Sequence, residues 1–236
     1  MLRQIAVGIS LLALFAAGGV AAFLWWYAEA TGNPAFFESE IIGYEESDAA
    51  SPPLPGAIVF VGSSSIRLWD DLEGDMAPLR VLNRGFGGAQ MEHLVFNAER
   101  IVSRYQPRAV VVYAGDNDLG AGTGKRARDV ADAYQQFVVR LRRSQPALPI
   151  YFLSIKHSLL RHDRWREMSE ANRRIEQYSA TDPELHYLDL SKVHLGSDGL
   201  PDSRYFLDDG LHLSEAGYAA WTAAIRPLLV ADFGEP

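Results

Sequence analysis

Few residues in this chain could carry covalent chemistry, and they gather at the ends of apolar runs. The chain has no cysteine, which excludes a thiol nucleophile, disulfides and thiolate metal sites. Three serines, Ser63 to Ser65, follow Gly62 directly after the aliphatic run AIVFV. Near the C-terminus, DDGLHLS places Asp209 and His212 three residues apart just ahead of a helical pattern. One helix-like turn would set both side chains on the same side. A carboxylate that holds an imidazole in one tautomer, opposite a serine, is what acyl transfer through a covalent intermediate needs. Two more loops bring chemistry-bearing groups to the ends of apolar runs: the glycines of NRGFGGAQ (Asn83–Gln90) and the carboxylate and amide side chains of AGDND (Ala114–Asp118). Each feature also has a plain reading: a helix cap for the serines, a tight turn for the glycines, an Asx turn for Asn117, a surface position for His212.

What unites them is placement. The runs Ala57–Val61, Arg80–Asn83, Ala109–Ala114, Ile150–Ser154 and His186–Leu190 are almost continuously apolar, as in parallel strands covered on both faces. Amphipathic helical patterns lie between them. Met91, Leu94, Ala98 and Ile101 mark one, and Val130, Tyr134, Phe137 and Leu141 the next. A weaker third passes through Trp165, Met168, Asn172 and Ile175, and the last starts at Ser214, an N-cap type, and carries Trp221, Ile225 and Leu229. The alternation predicts a three-layer, doubly wound α/β domain with about five parallel strands over residues 57–236. In such a sheet ligands bind beyond the carboxyl ends of the strands, and every loop named above leaves such an end. His157, after the fourth strand, reaches the same edge, as a substrate contact or a plain loop histidine; Tyr113 and Asp116 share that ambiguity.

Residues 1–30 are different in kind. Ile5–Tyr27 holds no charged residue and is long enough to span a bilayer, with Trp25, Trp26 and Tyr27 at its end. It reads as a transmembrane signal anchor or as a cleaved signal peptide with Ala28-Glu29-Ala30 at the cut. Either places the domain outside the cytoplasm. Residues 31–56, acidic and closed by Pro52, Pro53 and Pro55, read as a connector with a short helix through FESEIIGYEE. The net charge of −8 makes nucleic acid a poor partner. The basic groups Arg140/Arg142/Arg143 and Arg161/Arg164/Arg166 read as solvated faces. GAGTGKR departs from a phosphate loop at Leu119 and Arg126, NRGFGGAQ from a dinucleotide loop at Gln90, and no G-x-S-x-G elbow surrounds Ser64. The six histidines are scattered, so no metal or other cofactor is expected.

From Ala57 to Leu229 the pattern resembles the SGNH, or GDSL-like, hydrolase family. FVGSSSIRLW, VLNRGFGGAQ, YAGDND and DDGLH are similar to its four blocks and occur in its order. The resemblance implies a flavodoxin-like sheet and serine-based hydrolysis of esters or thioesters. It makes Ser64 the nucleophile, Gly88 (with Gly85 as the alternative) and Asn117 the oxyanion donors, and Asp209 and His212 the acid and base. It also implies that Ser63 fills a slot the family usually gives to aspartate, and it accounts for Trp69. The resulting expectation is an extracytoplasmic, membrane-tethered esterase for small acyl esters such as O-acetylated glycans, lysolipids or thioesters. The alternatives are an envelope-polymer acyltransferase and a non-catalytic binding module.

Overall fold

The computed structural model describes residues 18–19 and 32–234. The expected hydrophobic helix of residues 5–27 lies outside the described residues, apart from positions 18 and 19. Among the described residues no helix is long and apolar enough to cross a membrane. Residues 1–36 and 37–236 form separate units, and the sheet belongs to the second.

Five parallel strands make one sheet in the order β2-β1-β3-β4-β5. They are β1 (Ile58–Gly62), β2 (Val81–Gly85), β3 (Ala109–Tyr113), β4 (Ile150–Leu153) and β5 (Leu185–Leu188). The central strands read IVFVG and AVVVY and are buried throughout, because β-branched residues suit a pleated surface that helices cover on both sides. The order reverses between β1 and β3, which opens a crevice beyond their carboxyl ends. Around the sheet run α1 (Glu38–Ala50), the short turns α2 (Ser64–Arg67) and α3 (Leu72–Met76), then α4 (Met91–Ile101), α5 (Ala127–Arg142), α6 (Trp165–Ser179) and α7 (Glu215–Phe233). Ser214 caps α7 by accepting the Gly217 N–H. Trp69 is buried edge-on against Phe60 and close to Trp221 and Tyr218, in the core cluster that also holds Ile66, Tyr113 and Leu213.

Within the stretch expected as a connector, the expected short helix is present as α1, and it is docked on the domain rather than solvated. α1 is tied to α4 by Arg100, whose guanidinium donates to Glu45 at 2.8 Å and to Glu38 at 2.7 Å. A buried ion pair joins Asp48 of α1 to Arg84 of β2, and the Tyr44 hydroxyl donates to the Gly85 carbonyl. Three of the acids that suggest a solvated linker, Glu38, Glu45 and Asp48, are therefore docking contacts.

His194 gives a stability prediction. Its ring is buried among Tyr205, Phe206 and Trp221. Burial holds its pKa down at about 4. Nε2 lies 3.2 Å from the Gly217 carbonyl, while Nδ1 is buried without a partner, so a proton on Nδ1 would have no acceptor. The folded state binds that proton less readily than the unfolded chain does, whose histidine pKa is ~6.5. His194 thus contributes stability that is full above pH ~6.5 and is lost as pH falls toward about 4, in all about 3 kcal/mol. Asp118, pushed up to about 7 by burial, opposes this over much of the same window, so the readout is a difference. Urea unfolding at pH 7 and pH 4 should show wild type losing about 3 kcal/mol relative to His194→Gln. A gap that does not change with pH would remove His194 from this role.

Candidate active site

The turn after β1 is shaped by Gly62. Its φ is +154°, and a Cβ there would fall 2.0 Å from the Tyr113 carbonyl oxygen, so only glycine lets the chain pass β3 this closely. Ser63 then donates its N–H to that carbonyl at 3.0 Å, and the Ser63 carbonyl accepts the N–H groups of Ile66 and Arg67. This starts α2 with Ser64 as its first residue. The Ser64 and Ser65 N–H groups have no backbone acceptor among the described residues. A strand-to-helix turn of this kind leads one to expect a contribution from the potential of the helix. That expectation fails: α2 is four residues long, too short to sum a macrodipole. What it supplies is the free Ser64 N–H.

Ser64 Oγ lies 3.0 Å from His212 Nε2, and His212 Nδ1 lies 2.5 Å from Asp209 Oδ2. An ionised carboxylate only accepts, so the ring proton sits on Nδ1 and leaves Nε2 to accept from the serine hydroxyl. Asp209 Oδ1 accepts the N–H groups of Leu211 and His212 at 2.9 and 3.0 Å. Partial burial works to raise the Asp209 pKa, but the bond from His212 and these backbone N–H groups outweigh it and hold the carboxyl below its usual range. The loop is fixed in turn by the Leu207 N–H, which donates to the His212 carbonyl at 2.8 Å.

The loops after β2 and β3 close the other side. Gly88 adopts φ +83°, a conformation that favours glycine, and its N–H has no acceptor among the described residues. Gly85 differs: its N–H donates to Asn83 Oδ1 at 2.9 Å and is already used. Asn117 is buried, with Nδ2 donating to the Ala89 carbonyl at 3.1 Å and Oδ1 accepting from Arg161 Nη2 at 2.9 Å. One Nδ2 hydrogen remains uncommitted. The next residue, Asp118, accepts the Met91 N–H with both carboxylate oxygens at 3.1 Å and so ties the β3 loop to the start of α4.

Beneath Ser64 lies a polar network that sequence reading missed. Lys156, 2% exposed, donates to Ser65 Oγ at 3.0 Å, to the Tyr113 hydroxyl at 2.9 Å and to Asp116 Oδ2 at 3.3 Å. Three acceptors match the three hydrogens of an ammonium. Burial opposes charge on Asp116, but the Lys156 ammonium, the Arg161 guanidinium and the Tyr113 hydroxyl outweigh it and keep its pKa below the ordinary value. Burial pulls the Lys156 pKa down, and the opposing pull of Asp116 only partly offsets it, so the ammonium sits below the ordinary lysine value. Asp116 Oδ1 also accepts the Asn117 N–H at 3.0 Å. The backbone just before Lys156 is gripped by Asn172 of α6, which accepts the Ile155 N–H and donates to the Ile155 carbonyl. Tyr113, Asp116 and Ser65 thus belong to one scaffold. His157 is committed to α6 instead, stacked on Trp165 and 3.1 Å from Ser169 Oγ. The Ser63 hydroxyl is buried and unpartnered. Arg161, read as part of a solvated face, has Nη1 buried and Nη2 on Asn117.

The family model of the GDSL-like lipase/acylhydrolases matches residues 61–220. The chain belongs to this family. Membership in the GDSL-like family places it among carboxylic ester hydrolases. Platelet-activating factor acetylhydrolase IB subunit alpha1 of Bos taurus is 29% identical over 184 residues, 73% of this chain and 75% of that one. The solved structure of a GDSL-like lipase from Bacteroides thetaiotaomicron matches with a TM-score of 0.69 at 17% identity, over 82% of this chain and 98% of that one. A carbohydrate esterase family 3 structure from Talaromyces cellulolyticus matches with a TM-score of 0.60 at 16% identity, over 75% of this chain and 97% of that one. At these identities the two structures speak to the GDSL-like fold alone.

Proposed function

We propose that this protein is a serine esterase that removes small acyl groups, acetyl first among them, through an acyl-enzyme on Ser64. The observation that carries the reading is the continuous chain from Ser64 Oγ through His212 to Asp209, at 3.0 and 2.5 Å. His212 takes the hydroxyl proton as Ser64 Oγ bonds to the acyl carbonyl carbon, and Asp209 stabilises the imidazolium. The negative charge on the former carbonyl oxygen is met by the Ser64 N–H, the Gly88 N–H and the Asn117 Nδ2 hydrogen. His212 returns its proton to the leaving alkoxide as the ester bond breaks. Water, deprotonated by the same imidazole, then attacks the acyl-enzyme and releases the acid and the free serine. Two things support a short acyl group. The side chains packed beside the serine turn, Lys156, Tyr113 and Asp116, are buried and polar, and the relative at 29% identity is named an acetylhydrolase.

p-Nitrophenyl esters of increasing chain length, run beside acetylated sugars, test the reading. Turnover should be highest for the shortest acyl groups. Activity that rises steadily with chain length would overturn the acetyl preference, and no turnover with no fluorophosphonate labelling would overturn the enzyme. Asn117→Ala should lower kcat by ~10²–10³-fold, the usual loss for one oxyanion donor. A loss under about threefold would remove Asn117 from the hole. The apolar run from Ile5 to Tyr27 supports an extracytoplasmic, membrane-tethered location; release of the full chain by alkaline carbonate would count against the tether.

A further inference from the structure

We propose that Arg161 is a positioning residue of the oxyanion hole, clamping and polarising the Asn117 amide so that one Nδ2 hydrogen faces the reacting centre. The inference rests on the esterase reading above. A terminal amide can sit either way round, and its partners decide which. Arg161 can only donate, so its 2.9 Å bond requires Oδ1 on its side. The Ala89 carbonyl can only accept, so its 3.1 Å bond requires Nδ2 on the other. Both demands are met in one orientation, which leaves a single N–H to donate. Ala89 alone would hold one hydrogen and let the plane tilt; the second contact fixes it.

The charge matters as well as the clamp. A guanidinium on the amide oxygen draws electron density toward Oδ1 and makes the N–H groups stronger donors, most of all where water is excluded. Asn117 is 9% exposed. Arg161 Nη1 is buried with no hydrogen-bond partner among the described residues, so that nitrogen is not spent on another acceptor.

The chain around Arg161 is built to hold it. The Leu160 N–H donates to the Gly210 carbonyl at 3.0 Å, between Asp209 and His212. Trp165 Nε1 donates to the Ser158 carbonyl at 2.9 Å. One short segment therefore links the loop of the base to the amide of the oxyanion hole.

A double-mutant cycle on the full chain, with p-nitrophenyl acetate as substrate, tests this. Arg161→Ala should lower kcat on the order of 10-fold, with KM changed less than about twofold, because the interaction is made in the transition state. In an Asn117→Ala background the same change should cost less than about twofold, since the group it acts through is gone. Arg161→Lys, which keeps the charge but not the planar fork, should fall between wild type and Arg161→Ala. Equal losses in both backgrounds, or a loss in KM alone, would overturn the inference. If thermal melting shows that Arg161→Ala does not fold, the cycle is run with Arg161→Lys and Arg161→Gln under the same criterion. Hydrolysis that survives Ser64→Ala would instead sink the esterase reading.

Discussion

Ser64→Ala should abolish ester hydrolysis and fluorophosphonate labelling, lowering kcat by about 10⁵–10⁶-fold. The size follows from how the site is wired. His212 Nε2 lies 3.0 Å from Ser64 Oγ, and among the described residues no other hydroxyl bonds to it, so without Ser64 Oγ the proposed acyl-enzyme would have no oxygen on which to form. The neighbouring serines give the contrast. Ser63 Oγ is buried with no partner, so Ser63→Ala removes an unsatisfied group and leaves activity within a few fold. Ser65 Oγ accepts from Lys156, so Ser65→Ala leaves one ammonium hydrogen unmet and costs ~1–3 kcal/mol of stability, while labelling of Ser64 persists. Steady-state rates, labelling and urea midpoints for the three variants separate these effects. A dead Ser65→Ala beside an active Ser64→Ala would mean that the wrong serine has been assigned.

Some of this was legible in the sequence and some was not, for physical reasons. The three inner strands announce themselves because a parallel strand covered on both faces must be apolar along its whole length; β3, AVVVY, has no residue that suits another fate, whereas the edge strands β2 and β5 carry polar residues and are only partly buried. The loops at their ends stand out because serine, glycine, asparagine and histidine are out of place beside such runs. Lys156, buried, and Arg161, half-buried, escaped because nothing local marks a cation that is drawn out of solvent. In IKHSLLRHDR each reads as solvated, and its burial depends on acceptors delivered from other strand ends: Ser65, Tyr113 and Asp116 for Lys156, Asn117 for Arg161. The acidic residues 38–48 misled for the same reason. Their partners, Arg84 and Arg100, come from β2 and α4, and composition cannot show a pairing across such a distance in sequence.

Lys156→Met should destabilise the domain by about 3–5 kcal/mol, the usual cost of removing one partner from a buried ion pair. Asp116 would be left ionised at 3% exposure, and Ser65 and Tyr113 would each lose a donor. Removing both charges should cost less than removing one, so Lys156→Met with Asp116→Asn recovers a large part of the loss. The pH dependence identifies the cause. In wild type the Asp116 pKa is lowered, with burial opposing and Lys156 the strongest factor in favour. Its contribution is therefore present above the unfolded carboxyl pKa, ~3.9, and is lost as pH falls through the folded value. In Lys156→Met, burial is no longer answered by the ammonium, and the carboxyl protonates more readily in the folded state than in the unfolded one. The stability gap between wild type and variant should then be widest near neutral pH and narrow toward pH 4. A gap that stays constant in urea titrations from pH 7 to pH 4 would mean that the loss is one of packing and that Asp116 is not the stranded charge. Catalysis should weaken along with stability, because Asp116 Oδ1 holds the Asn117 N–H and Ser65 is fixed next to Ser64. A folded Lys156→Met with full kcat would separate the buried network from the oxyanion loop it touches.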